Sequence, residues 1–149
     1  MTWDELLVAA KAMGLKVKFA NLGRRTGEVR RSGLVLINER KSAITRKVAL
    51  AHEMGHWHHK HDWSAAHDNV RDERQADAYA ARLLIPADRY ALAEQLYDGH
   101  VGAIARELEV TSPIVHALRD VVLRRVAPVA YPTPWGVAPT ASARKRDIA

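Results

Sequence analysis

Several absences limit what this chain can be. It contains no cysteine, which excludes disulfide bonds, a cysteine nucleophile and a cysteine-type zinc finger, and which fits a cytosolic protein. No stretch reaches the roughly 18 consecutive apolar residues that a membrane span needs. The first residues, MTWDELLVAAKAMG, lack the basic start and apolar run of a secretory signal. We therefore expect a cytoplasmic protein without a membrane anchor.

What remains is an ordinary globular composition with an uneven charge. The 149 residues are 48% hydrophobic and 27% charged, which predicts one domain with a real core. Basic residues outnumber acidic ones by 11 to 4 in residues 1–50, and acidic residues lead by 9 to 5 in residues 51–100. The basic third fits a solvated hairpin, or a face for nucleic acid or an acidic partner. The acidic third holds most of the histidines, and its negative charge favours binding of a cation there.

The hydrophobic pattern predicts an α+β fold: an N-terminal helix and a short antiparallel sheet, followed by a helical bundle. Predicted strands cover 15–20 and 33–38, with a turn or loose hairpin between them, and the strand at 33–38 is expected to present a free edge for an extended substrate. Predicted helices cover 2–13, 43–60, 70–84, 87–97, 101–109 and 113–125. Residues 1–127 are expected to form a single domain. Residues 128–149, with four of the six prolines and the basic run RKR, are expected to be an extended or disordered tail.

His52, Glu53 and His56 form the pattern H-E-x-x-H in the second predicted helix. Helical residues four apart lie almost above one another, so two imidazoles can reach one ion at about 2.0–2.1 Å. Glu53 points roughly 100° round the axis, which places its carboxylate beside the ion, where it can take a proton from water. Gly55 costs this helix about 1 kcal/mol, which suggests that another element approaches closely there. The alternative is a solvated helix that is rich in histidine by chance.

A zinc site with two histidines needs a third protein ligand, and the first candidate is Asp62. It lies six residues after His56, where the metzincin-type pattern H-E-x-x-H-x-x-G-x-x-H/D has its last ligand. That pattern needs a glycine at position 59, which is His59 here, and a downstream methionine, yet none follows Met54. The sequence therefore disfavours Asp62.

The second candidate is Glu73, on the next predicted helix, which is the gluzincin-type arrangement of two histidines and a glutamate. Asp77 follows one turn later on the same face, where its carboxylate can accept the free ring N–H of a ligating histidine. We therefore predict a small gluzincin-like domain that binds Zn²⁺ through His52, His56 and Glu73. Glu53 is the predicted catalytic base.

The segments HEMGH and ERQADAYAARLLIP together resemble the ImmA/IrrE family of zinc metallopeptidases. That family has H-E-x-G-H, followed by a Glu-x-x-Ala-Asn/Asp-x-Phe-Ala segment that ends in Leu-Leu-x-Pro; here Tyr79 replaces the usual Phe and Ile85 stands where Met is common. The resemblance spans about residues 5–125. It implies a small α+β fold with a short sheet before the active helix, a zinc ion, and a substrate or partner that is often a helix-turn-helix repressor. Such proteins are frequent in phages and other mobile elements.

The other histidines have no place in this constellation. We expect His58, His59, His61 and His67 at the surface or just outside the ligands, with weak extra metal binding as the alternative. His100 and His116 are expected to be surface or packed residues. The residue that stabilises an oxyanion is left open among His100, Tyr79, Tyr90 and His116.

Residues 103–123 have the spacing of a helix-turn-helix, in which four small or branched residues stand at buried positions: Ala105, Val110, Val115 and Leu118. Glu109 occupies the turn position that usually holds Gly. The second helix offers only Ser112, His116 and Arg119 as polar groups for reading DNA. The pattern favours a structural or partner-docking role within the domain over DNA binding.

These features together predict a zinc-dependent endopeptidase that acts on a protein partner such as a transcriptional regulator. The alternative is a non-catalytic module, stabilised by its metal, that binds a regulator protein or DNA.

Overall fold

The structure is a computed structural model that describes residues 1–61 and 69–126. Within these ranges the helices and strands, in chain order, are α1 Trp3–Ala12, β1 Lys16–Ala20, β2 Gly27–Val29, β3 Leu34–Asn38, α2 Ala43–His59, α3 Val70–Leu84, α4 Ala87–Leu96, α5 Val101–Glu107 and α6 Ser112–Val126. The predicted α+β class is confirmed. The predicted tail at 128–149, together with Asp62 and His67, lies outside the described residues.

The helix that carries H-E-x-x-H begins and ends at identifiable residues. Ser42 caps α2 because its hydroxyl accepts a hydrogen bond from the Thr45 amide at 3.2 Å, as the sequence predicts. The helix ends at Lys60, whose φ of 53° is left-handed, so that the chain turns back and the His61 amide donates to the His56 carbonyl at 3.2 Å. This turn returns residue 61 to the last turn of α2.

The sheet is mixed, and the predicted antiparallel sheet with a free edge on residues 33–38 is wrong. β3 lies in the centre, with β1 parallel on one side and β2 antiparallel on the other. The antiparallel hairpin joins β2 to β3 through a tight turn in which Gly33 has a φ of 79°. β2 is only three residues long, Gly-Glu-Val, which is too short to show an alternating pattern, so the sequence predicts a turn or loose hairpin there. The free edge next to α2 therefore belongs to β2.

Asn38 holds the loop that precedes β2. Its side chain is fully buried, and its amide donates to the Gly23 carbonyl at 3.0 Å and the Arg25 carbonyl at 2.7 Å. Its side-chain oxygen accepts from the Arg40 amide at 3.1 Å. A buried amide bonded in this way is costly to lose, so this one side chain fixes the approach to β2.

Helices α2 and α3 touch at Gly55. A Cβ built there would lie 2.8 Å from Cα of Ala76 and 2.9 Å from its carbonyl oxygen, so only glycine permits this contact. The prediction that Gly55 reflects the close approach of another element is confirmed. Around this contact a continuous core joins the sheet to all six helices; among its completely buried side chains are Leu6, Val35, Ile37, Leu50, Met54 and Ile104.

The helix-turn-helix-like segment packs into the same core. All four of its predicted buried residues, Ala105, Val110, Val115 and Leu118, are buried, and Glu109 has a φ of 52°, the conformation that makes glycine usual at such turns. Arg119 donates to both carboxylate oxygens of Glu94, at 3.1 and 2.8 Å, and to the Gly99 carbonyl at 2.6 Å. These bonds engage a guanidinium that the sequence offered as a DNA contact. The domain boundary at residue 127 stays a prediction.

None of the described helices is long and apolar enough to cross a membrane.

Candidate metal centre

Three side chains from two helices converge on one point. Nε2 of His52 and Nε2 of His56, one turn apart on α2, lie 2.9 Å from each other. The Glu73 carboxylate on α3 approaches both rings, with Oε2 3.3 Å from His52 Nε2 and Oε1 3.2 Å from His56 Nε2. Ligands about 2.0–2.1 Å from a tetrahedral ion lie roughly 3.3 Å from one another, and the three distances are close to this value. These residues, brought together as the sequence predicts, could hold a metal ion.

The contact between α2 and α3 sets this geometry. Gly55 is the immediate neighbour of His56, and Ala76, which it touches, lies one turn after Glu73. Asn69 caps the start of α3 by accepting a hydrogen bond from the Arg71 amide at 3.1 Å. The spacing of the helices at Gly55 therefore fixes how far the carboxylate stands from the two rings.

Asp77 lies behind His52, as the sequence predicts. Its Oδ1 atom is 2.8 Å from Nδ1 of the ring. An ionised carboxylate only accepts hydrogen bonds, so Nδ1 carries a proton and Nε2, which faces His56 and Glu73, is the nitrogen that a metal ion would take. This is the tautomer that a metal ligand needs.

The field at His52 favours positive charge. Burial lowers the pKa of the ring, but its hydrogen bonds to Asp77 and Glu73, together with the nearby charge of Glu53, outweigh burial and raise the pKa to about 10. The same carboxylates that favour a protonated ring would favour a bound cation. Three of the acidic residues of the middle third, Glu53, Glu73 and Asp77, thus lie close to the point where the metal donors converge.

Glu53 is buried beside the convergence point and is only partly satisfied. Its residue is 5% exposed, the Val29 amide of β2 donates to its carboxylate, and Oε2 has no hydrogen-bond partner among the described residues. Burial raises the pKa of Glu53 to about 7, the neighbouring His52 opposes this shift, and Glu73 adds to it. A Cβ at Gly27 would lie 3.2 Å from Oε1, so the edge strand lies directly against this carboxylate.

His61 contacts the ligand His56, which the sequence alone did not predict. Its Nδ1 lies 2.8 Å from Nδ1 of His56, and its Nε2 lies 2.9 Å from Oε1 of Gln75 and 3.7 Å from Oδ1 of Asp72. The sequence placed His61 at the surface or just outside the ligands without choosing, because a turn at Lys60 without glycine gave no sign that the chain folds back.

The remaining predicted polar residues lie in other environments. His58 and His59 are exposed on the last turn of α2. His100 caps α5 by accepting from the Ala103 amide at 3.2 Å, and His116 is exposed. Two candidates for oxyanion stabilisation have partners within the fold: the Tyr79 hydroxyl contacts Sδ of Met13 at 3.6 Å, and the Tyr90 hydroxyl donates to Glu94 at 2.6 Å.

A cluster of two histidines and a glutamate that could hold a metal ion is typical of a metallopeptidase-type domain, and comparison with known families agrees. Residues 10–117 match the model of a peptidase family, described as the IrrE N-terminal-like domain. The chain belongs to this family, which confirms the resemblance drawn from HEMGH and ERQADAYAARLLIP. No curated protein matches the chain.

Proposed function

We propose that this protein is a cytoplasmic, zinc-dependent endopeptidase whose substrate is a protein partner, a transcriptional regulator of the helix-turn-helix class. The observation that carries the proposal is one geometry: three metal donors converge beside the buried carboxylate of Glu53, one of whose oxygens has no partner among the described residues. A peptidase needs this combination of an electrophilic ion and a base beside it.

The donor set suits zinc. Two imidazole nitrogens and one carboxylate oxygen are the protein ligands of His₂Glu catalytic sites, which leave a fourth position open. A zinc ion held by His52, His56 and Glu73 would polarise a peptide carbonyl and lower the pKa of water.

Glu53 is the base in this proposal. Its Oε2 accepts a proton from the attacking water while the water oxygen bonds to the carbonyl carbon, and the proton then passes to the amine nitrogen as the C–N bond breaks. The hydrogen bond from the Val29 amide keeps the carboxylate oriented. Asp77 keeps the proton of His52 on Nδ1, so that this ligand does not compete for the transferred proton.

The free edge of β2 supports binding of an extended peptide. Asn38 donates to the Thr26 carbonyl and Arg30 to the Leu34 carbonyl, so the alternate residues Gly27 and Val29 direct their backbone groups away from β3. Because the Val29 amide donates to Glu53, the groups offered to a peptide are the Gly27 amide and the carbonyls of Gly27 and Val29. An extended substrate can add to this edge by backbone hydrogen bonding. Because Gly27 adjoins the Glu53 carboxylate, a peptide paired there passes next to the base.

The choice of a regulator as substrate rests on the resemblance to the ImmA/IrrE family. For the helix-turn-helix-like segment, docking of a protein partner is favoured over direct contact with DNA, because the Arg119 side chain is already hydrogen-bonded to Glu94 and to the Gly99 carbonyl.

The deciding experiment compares Glu53→Gln with the wild type on helix-turn-helix regulators from the same genome, with and without chelator. We expect Glu53→Gln to keep its zinc, measured by elemental analysis, and to leave the regulator intact on a gel, because the swap preserves shape and removes the base. Glu39→Gln, the same change at an exposed position, is the matched control and should cleave normally.

Two results would contradict the proposal. The first is regulator fragments formed equally by Glu53→Gln and by the wild type. The second is a wild type that cuts nothing and binds DNA sequence-specifically between about 50 and 200 mM salt, where binding that depends on phosphate contacts alone falls by orders of magnitude.

A further inference from the structure

His56, His61 and Gln75 form an unbroken chain of hydrogen bonds that leads away from the metal cluster. The two histidines meet through their Nδ1 atoms at 2.8 Å, and Nε2 of His61 meets Oε1 of Gln75 at 2.9 Å. The His61 side chain is only 9% exposed, although α2 has already ended. Beyond the ligand His56, its members His61 and Gln75 are neither ligands nor the base, and the peptidase mechanism above does not use them.

The chain has one polarity that is compatible with metal binding. A neutral imidazole carries a proton on one nitrogen and a lone pair on the other. If Gln75 Oε1 accepts from Nε2–H of His61, then His61 Nδ1 is an acceptor and His56 must donate from Nδ1–H. The Nε2 atom of His56 is then a lone pair directed at His52 and Glu73, as a ligand requires. The opposite polarity would place a proton on Nε2 of His56 and block coordination.

The charge of Asp72 favours the polarity that suits metal binding. Its Oδ1 lies 3.7 Å from Nε2 of His61, and a carboxylate cannot donate, so it favours a proton on that nitrogen. The amide of Gln75 could reverse its own direction by rotating, but the carboxylate beside it disfavours this.

The two ligand histidines are thus supported differently. His52 contacts a carboxylate directly, through Asp77 at 2.8 Å, whereas Nδ1 of His56 contacts a second imidazole that in turn contacts Gln75 and lies near Asp72. These supporting acceptors and the third ligand lie on α3: Asp72, Glu73, Gln75 and Asp77.

We propose that His61 and Gln75 are positioning residues that hold His56 in its Nδ1–H tautomer and so prepare Nε2 for the metal. This inference rests on the proposed zinc site and extends it to residues beyond the ligands. The inference concerns the orientation of the His56 ring and the affinity of the site for zinc. Both can be measured without an assay of peptide cleavage.

The first test is the zinc affinity of His61→Phe, measured by competition with a chromophoric chelator at about pH 8, where an ordinary imidazole is neutral. We expect a loss of about 10–100-fold, as when the outer hydrogen bond of a ligating histidine is removed. His59→Phe is the matched control, because His59 stacks on His61 with ring centroids 5.4 Å apart but is exposed; its affinity should match the wild type.

A pair of changes at Gln75 tests the polarity. Gln75→Glu keeps an acceptor of the same length and should retain the affinity of the wild type, whereas Gln75→Leu removes the acceptor and should weaken zinc binding. A purely structural role would make Gln75→Glu, with its added charge, the more harmful change. Equal affinities for these two variants would overturn the inference.

The wild type itself gives a direct reading that does not depend on whether a variant folds. In the zinc-loaded protein labelled with ¹⁵N-histidine, long-range ¹H–¹⁵N spectra should show the proton of His56 on Nδ1 and that of His61 on Nε2. A proton on Nδ1 of His61 would overturn the inference, as would wild-type affinity in folded His61→Phe. If the wild type binds no zinc, the proposed function fails with it; if only the His61 and Gln75 results fail, the zinc site stands.

Discussion

Replacing Gly55 by alanine tests whether the spacing of α2 and α3 controls the metal cluster. The new Cβ would lie 2.8 Å from Cα of Ala76, 2.9 Å from its carbonyl oxygen and 3.1 Å from Cβ of Tyr79. Ordinary contacts between carbon atoms are about 3.5–4.0 Å, so the helices must separate by about 1 Å. None of these atoms is the end of a flexible side chain that could swing aside.

Two opposing effects set the magnitude. Alanine favours the helix by about 1 kcal/mol over glycine, whereas overpacking of a tight contact costs about 1–3 kcal/mol. We therefore expect a net loss of about 0–2 kcal/mol in the free energy of unfolding. The effect on zinc should be larger, because His52 and His56 lie on one helix and Glu73 on the other, and a separation of about 1 Å opens the donor set beyond the 2.0–2.1 Å reach of an ion.

The assay pairs urea denaturation of the metal-free protein with chelator competition for zinc. Gly102→Ala is the matched control, since it is also a helical glycine and, among the described residues, its Cβ would meet just the His100 side chain, at 3.4 Å. This variant should be more stable by up to about 1 kcal/mol and bind zinc normally. The reasoning is refuted if Gly55→Ala gains stability as the control does and keeps the zinc affinity of the wild type.

Four further substitutions have expected outcomes. Glu73→Ala should empty the metal site and Asp62→Ala should leave it filled, which elemental analysis of the purified variants decides; full zinc retention in Glu73→Ala would disprove the ligand assignment. Asp77→Ala should weaken zinc binding by about 10–100-fold, and unchanged affinity in chelator competition would remove it from the site. The hydrogen bonds from Arg119 hold the pKa of Glu94 below its ordinary value of 4.5, so the stability from this pair is complete above that pH and lost as the pH falls through the lower folded value. Glu94→Gln should therefore flatten the acid end of the stability curve in urea titrations, and an unchanged acid limb would contradict this.

The helices and the candidate ligands were predictable because local patterns encode them. In any helix, two residues at i and i+4 such as His52 and His56 lie on the same face. The cap at Ser42 involves only residues 42–45. Gly55 announced a close contact, although not its partner. These features depend on neighbours along the chain, so one sequence suffices to read them.

Strand pairing and the role of His61 were not predictable in the same way. Parallel pairing of β1 with β3 depends on which strand occupies the other side of β3, and three residues of β2 carry too little pattern to reveal it. His61 reaches His56 only because Lys60 adopts a left-handed conformation that glycine or asparagine usually takes. Both features depend on contacts between residues that are distant along the chain or on a backbone conformation that the residue type does not favour, and a local pattern reveals neither.

The close contact of α2 and α3 at Gly55 bears on whether this chain needs a metal ion in order to fold. In small zinc-dependent domains the ion supplies the folding free energy, and removing it unfolds the chain. Here α2 and α3 both contribute apolar, fully buried residues to one core, among them Leu50, Met54 and Ala80, so the two helices that carry the donors are joined by packing that needs no metal. We therefore expect the metal-free protein to keep its fold with the donors already close together, so that metal binding changes the site and leaves the fold as it is.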